Sequence, residues 1–384
     1  MPIRRSVPFG ERPYIGGQAV LEGVMMRAPS SFAVVVRRAD GALHVRERAM
    51  GDSPSGAARW PLVRGVVSLI ESLRLGSEAL RFSVESAQND WTSSSALRPA
   101  PPPGPGVGIL SALALFLLAT VARDDATATR AASAREGGRG RGTWLMGFIA
   151  VAFLVALPQA AAAALDRSLG LKLGVQSAGF QALTGVFKLT IVVGYLLAIR
   201  RVSDIRRVFQ YHGAEHKTIS TYEAGEPLTV ESARKKTTLH PRCGTTFLVM
   251  VALVSIIVFA AVGAGLPRIH TGSVVFDNLA FFIEKLPFLP LIAALAFELQ
   301  RLLARFGTRG PLRALLWPGF LVQRITTAEP DDAQLEVALA SLRVTLFRQH
   351  QSELPSGVRD AGREDVVFRN YEALLTADRL RAGA

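Results

Sequence analysis

The sequence predicts a mainly α membrane protein, with about four transmembrane helices and a small N-terminal α+β domain. Three observations lead there. The 384-residue chain is 49% hydrophobic, and its apolar residues gather in runs too long for ordinary core helices. Lys and Arg cluster beside some of these runs and are sparse beside others. Short β-like runs with turn residues between them come before all of the apolar runs.

The net charge of +13 admits a nucleic-acid binder or a membrane protein with basic cytoplasmic loops. Aromatic residues make up only 8% of the chain, and the basic residues adjoin apolar runs, so no nucleic-acid partner is expected. The single cysteine, Cys243, rules out an intrachain disulfide. The basic N-terminus has no apolar run behind it and does not read as a secretory signal.

Residues 1–90 read as a cytoplasmic α+β domain. Segments 20–26, 32–38 and 43–48 are strand-like, and Asp40-Gly41 signals a type I′ hairpin turn. From Pro61 the pattern becomes helical, with Leu62, Val66, Leu69, Leu73 and Leu80 near one face. That face is expected to pack on the sheet, with a membrane-surface helix as the alternative. Residues 91–143 hold a Pro-rich linker, an apolar stretch at 109–122 that is short for a span, and a basic linker. The stretch 109–122 reads as re-entrant or interfacial.

Residues 144–303 form the expected transmembrane core. Its spans are 144–165, 180–199 with Lys188 inside, 245–266, and a fourth built from 279–283 and 286–297 around Glu284 and Lys285. Nine Lys/Arg lie between Arg200 and Gly244, and the stretch after Arg301 is also basic. The positive-inside rule puts loop 200–244 and both termini in the cytoplasm, in the inner (cytoplasmic) membrane of the cell. The C-terminal helical segment, 304–348, holds a helix that Thr327 or a neighbouring residue caps and that runs to about Phe347, and a polar, mobile tail, 349–384, closes the chain.

Loop 200–244 carries the chemistry-bearing residues. His212 and His216, four apart, share one face of a helix and can converge on one metal, with Glu215 beside them. H-x-x-E-H is the inverted zincin pattern, in which the Glu serves as the catalytic base. His240 and Cys243, in LHPRCGT, stand three apart, a usual ligand spacing. Glu298, at the cytoplasmic end of the last span, is a further candidate ligand, or else an anchor paired with Arg301 or Arg305. The donor set suits a divalent metal, zinc first. A catalytic metal site, a structural clip closed by His212, His216, His240 and Cys243, and ordinary loop histidines remain open as readings, as does a nucleophilic Cys243. In GGQAVLEGVMMR, Gln18, Glu22 and Arg27 could line a site, although a glycine turn entering a strand accounts for the segment.

Four blocks together, GGQAVLEGVMMR, RVFQYHGAEHK, LHPRCGTTF and WPGFLVQRITTAEPDDAQLEVA, resemble the bacterial YqhQ family in order and spacing to about residue 345. The resemblance implies a membrane protein with a metal-dependent enzyme activity and leaves the substrate open. It carries over His212, Glu215, His216, His240 and Cys243, together with Glu22, Gln323 and Glu329, without giving their roles. The insertion 123–142 and the longer tail depart from the family pattern. The function expected is that of a metal-dependent hydrolase at the cytoplasmic membrane face. Its partners would be membrane lipids and a membrane-bound substrate or protein. A non-catalytic scaffold with a structural metal is the alternative, and a transporter motivated by Lys188, Glu284 and Lys285 comes behind it.

Overall fold

The computed structural model describes residues 12–50, 60–94, 157–174, 177–262, 286–306, 311–352 and 364–377, with isolated positions between them. The expectations for the Pro-rich linker, the stretch 109–122, the basic insertion and the first part of span 144–165 lie outside these residues.

Five antiparallel strands form one sheet in sequential order: β1 (Gly16–Val20), β2 (Gly23–Ala28), β3 (Ser31–Arg37), β4 (Leu43–Ala49) and β5 (Glu364–Phe368). The single run expected at 20–26 is in fact the end of one strand and most of the next. Leu21 and Glu22 turn the chain between them, and Glu22 sits at φ 51. The second turn differs from the expected type I′, which needs positive φ at both central residues. Only Gly41 has it, at φ 87, with Gly41 N–H donating to Arg38 O and Arg38 N–H to Ala42 O. The result is a three-residue loop with a bulge, and the Asp40 carboxylate accepts the Ala42 N–H.

One face of the sheet is covered by α1 (Val63–Ser94). Leu75, Ala79 and Phe82 are the residues buried against Val20, Met25, Phe32, Val34 and Val36. The expected face does not form the contact: Leu62 and Leu73 are exposed. The helix instead presents the stripe that buries the Phe82 ring.

The opposite face is covered by α4 (Ser203–Ala224) and α9 (Asp332–Ser352), which bury Val24, Met26, Val35 and Val45 against Tyr211, Ala214, Leu335 and Leu342. Asp331 caps α9: its carboxylate accepts the Gln334 N–H, and Gln334 Oε1 accepts the Asp331 N–H. The end of the chain is structured where a polar tail was expected. It supplies β5, which pairs along β4, and then α10 (Tyr371–Thr376), capped by Asn370. Alternation in Glu364–Phe368 is too brief to signal a strand alone; pairing with β4 supplies what the sequence lacks.

A second group of helices lies beyond the sheet: α2 (Leu157–Leu169), α3 (Ala178–Ile199), α6 (Gly244–Val262), α7 (Leu289–Phe306) and α8 (Trp317–Thr326). In it α2 packs on α3, α3 on α6, and α6 on both α7 and α8. Among the described residues α3 is the one helix long and apolar enough to cross a membrane by length and composition, with a mean hydropathy of 2.0. The apolar part of α6, Gly244–Phe259, is shorter. Helix α7 starts at Leu289 after a 3-10 turn at Leu286–Phe288, and its second half carries Glu298, Gln300 and Arg301; most of the upstream part of the expected fourth span, 279–283, lies outside the described residues. Between α4 and α6, the short α5 (Val230–Arg234) and an irregular loop lead into Cys243.

Candidate metal centre

Helix α4 sets the site. Positions 212, 215 and 216 share one face, and α4 lies against the edge strand β1 with that face turned inward. Glu215 and His216 are buried. The rings of His212 and His216 stack edge-to-face at 4.4 Å. Cys243, just before α6, closes the third side: His212 Nε2 lies 3.1 Å from its Sγ. One ligand atom each from His212, His216 and Cys243 falls within 4.8 Å of the others. Zinc ligands in a tetrahedron stand about 3.5 Å apart, so a modest closure would complete the geometry.

The other ring nitrogens fix the tautomers. His212 Nδ1 lies 2.9 Å from the carbonyl of Thr326, and His216 Nδ1 lies 2.5 Å from that of Thr238. A carbonyl can only accept, so each Nδ1 carries a hydrogen and leaves Nε2 as the ring atom aimed at the group, the usual support of a metal-binding histidine. Two orphaned atoms give an independent sign of fit. His216 Nε2 and Glu215 Oε2 are buried and have no hydrogen-bond partner among the described residues.

The electrostatics agree with a thiolate ligand. Burial pushes the Cys243 thiol up, but His212 and His216 outweigh it and hold the thiol well below its ordinary value. Burial opposes a charged His212, yet the Cys243 thiolate beside it raises the imidazole to about 9. Burial raises the Glu215 carboxyl, and the two histidines only partly offset this.

Two of the expected ligands stand apart. His240 is buried, but its Nε2 faces Glu223 at 3.3 Å and its ring lies 5.7 Å from that of His216; burial lowers its pKa to about 4. It is placed by Gln323, whose Oε1 accepts the His240 N–H and whose Nε2 donates to His240 O and to Thr246 Oγ1. Glu298 pairs through both carboxylate oxygens with Arg64 of α1, at 2.7 and 2.5 Å. Glu298 is thus ion-paired, and its partner is distant in sequence rather than Arg301 or Arg305. Gln300, two residues on, is the α7 residue that reaches the site's backbone, at Cys243 O.

The terminal blocks acquire roles. Glu22 accepts both nitrogens of Arg207 at 2.5 Å and the Tyr211 hydroxyl at 3.2 Å, tying the first hairpin to α4. Gln18 packs on Gly76 of α1, and Arg27 pairs with Glu71. None of the three lines the metal-binding face. Glu329 pairs with the buried Lys217. Gly213 lets the chain after α8 press on α4: a β-carbon there would run into Ala328 O. Sequence reasoning missed Thr326, Thr238 and Gly17. The first two act through carbonyls, which leave no trace in side-chain type. Gly17 faces Glu215, and its glycine pair was the available signal.

Comparison with known proteins supplies a family and no activity. This chain is 28% identical over 343 residues, 89% of its length and 95% of the relative's, to the Bacillus subtilis (strain 168) protein described as "Uncharacterized protein YqhQ". No solved structure matches. A family model described as "Protein of unknown function (DUF1385)" matches residues 60–347, the span that holds all three converging ligands and Glu215, and the chain belongs to that family.

Proposed function

We propose that this chain is a metal-dependent hydrolase acting at the cytoplasmic face of a membrane. The observation that carries the reading is a three-ligand group, His212, His216 and Cys243, with the unpaired buried carboxylate of Glu215 adjoining it. Structural zinc sites are closed by four protein ligands, whereas catalytic ones keep three and leave a position open. His240 would have closed the site, and it faces Glu223 instead. Zinc suits two imidazoles and a thiolate, and when bound it would supply Lewis acidity to a carbonyl or water. Glu215 takes a proton from water as the water oxygen adds to the acyl carbon, then delivers it to the leaving group as the acyl bond breaks. Burial raises this carboxyl, which favours its holding the proton between the two transfers.

The membrane part of the reading rests on exposed apolar helix surface. Val186, Leu189 and Leu197 of α3 and Leu248 and Ile257 of α6 are exposed. Large apolar side chains left exposed along two adjoining helices fit lipid better than water. The site lies at the Ile199 end of α3 and the Gly244 end of α6. Arg200 donates to Arg324 O there, and Arg324 stands over the half-exposed Trp317 ring. Arginines and a tryptophan at one level suit a cytoplasmic interface, with lipid as partner.

The test is metal content and hydrolysis of the detergent-purified chain, wild type against Glu215→Gln and His216→Ala. Glu215→Gln is expected to keep the metal and lose hydrolysis, and His216→Ala to lose both. If Glu215→Gln loses metal and fold together, Glu215 is structural and the hydrolase reading fails. Retention of the wild type in membranes after an alkaline carbonate wash is expected, and its release into the soluble fraction would overturn the membrane assignment.

A further inference from the structure

We propose that the substrate of this site is an extended peptide that adds as a strand to the free edge of β1. The inference rests on the hydrolase reading above and names its substrate class. It starts from the sheet register. Arg37 N–H bonds to Glu22 O, so Gly23, one residue on, directs its backbone groups away from β3 and toward β1, where it faces Val20. Bonding along β1 then alternates. Val20, Gln18 and Gly16 point their N–H and C=O into the sheet, and Ala19 and Gly17 point theirs out. Among the described residues nothing pairs with β1 on that side, and no hydrogen bond uses the backbone of Gly17 or Ala19. An unpaired strand edge is a template for another extended chain.

The second observation is where this edge runs. Gly17 is the residue that faces Glu215: a β-carbon on it would lie 2.7 Å from Oε1. The strand whose outward groups are open at Gly17 therefore passes directly over the proposed proton carrier. The loop bearing Cys243 reaches the segment that leads into this strand, with the Arg242 guanidinium 4.8 Å over the ring of Tyr14, two residues before β1. A peptide paired with Gly17 and Ala19 would have its backbone carbonyls brought past Glu215 and the His212–His216–Cys243 group together. Hydrolysis is then balanced by water alone: its oxygen goes to the acyl carbon, the C–N bond breaks, and Glu215 moves one proton to the departing amine.

The register also provides a clean variant. Proline at 19 removes an outward donor without touching the β1–β2 ladder, which is the strand position proline tolerates. The experiment uses the detergent-solubilised full chain with zinc, a degenerate quenched-fluorescent octapeptide library, and p-nitrophenyl palmitate in mixed micelles. The wild type is expected to cleave peptides. Ala19→Pro is expected to raise KM about tenfold, the scale of one lost hydrogen bond, with kcat, metal content and melting temperature held. Cleaved peptides resynthesised with N-methyl groups at alternate residues are expected to resist cleavage in one of the two phases. That result decides the matter even if Ala19→Pro fails to fold. Palmitate ester hydrolysis without peptide cleavage overturns the peptide inference and leaves the hydrolase reading standing. Peptide cleavage indifferent to both Ala19→Pro and N-methylation overturns the edge. Loss of every activity in a metal-loaded chain overturns both readings.

Discussion

Gly17 and Glu215 meet so closely that the space for a single methyl group at position 17 is already taken by the carboxylate, 2.7 Å from both Cγ and Oε1. Gly17→Ala must therefore push Glu215 aside, because β1 is held along its length by β2. The expected outcome is a loss of hydrolysis of roughly 100-fold, the usual cost of moving a catalytic group by about an ångström. Metal stoichiometry by elemental analysis should stay at the wild-type level, since none of the three ligands touches Gly17.

Metal removal should be read in the melting temperature. A ligand that binds only the folded chain stabilises it by mass action, by about 2.7 kcal/mol at a hundred times its dissociation constant. Chelation is expected to lower the melting temperature of the wild type, and added zinc to restore it. In Cys243→Ser both shifts should shrink, and in His216→Ala they should vanish. Equal melting curves for wild type with and without chelator would mean that the group holds no metal.

Gln323 is a purely structural prediction. Its amide makes three hydrogen bonds, to His240 N and O and to Thr246, and it is fully buried. Gln323→Ala strands those groups and should cost about 2–4 kcal/mol in a denaturant titration. Metal affinity should fall less than stability, because the clamp holds His240 and only indirectly sets Cys243.

Glu298→Gln should leave metal content unchanged, since its carboxylate belongs to Arg64. Both side chains are partly exposed, so the stability loss should stay within about 1 kcal/mol. A metal-depleted Glu298→Gln protein would restore Glu298 to the ligand set.

Much of this was legible in advance. The i, i+4 pair His212/His216 and the following Cys243 came together because helix periodicity fixes the first two and a short loop delivers the third. His240 had the right spacing to Cys243 and still fell outside, because spacing does not say which way a loop turns, and Gln323 decides that from another helix. The first hairpin was read as one strand because Leu21 and Glu22 carry none of the usual turn residues, so Glu22 enters positive φ against local preference. What holds it there is long-range: Arg207 and Tyr211, both on α4, bind its carboxylate. β5 was missed for the same reason, since an edge strand of five residues gains its stability from a partner more than three hundred positions away.

That last distance has a consequence for how the protein is made. Ser31 of β3 donates to Thr345 O of α9 across 314 residues. At 5–20 residues per second, synthesis leaves the N-terminal strands waiting roughly 15–60 s for the helix that covers them. Through that interval the Phe32–Val36 stretch, wholly buried at the end, lacks half of its shelter. The nascent chain thus emerges with this apolar strand early and its cover last, and a chaperone or the growing helical region has to guard it until α9 arrives.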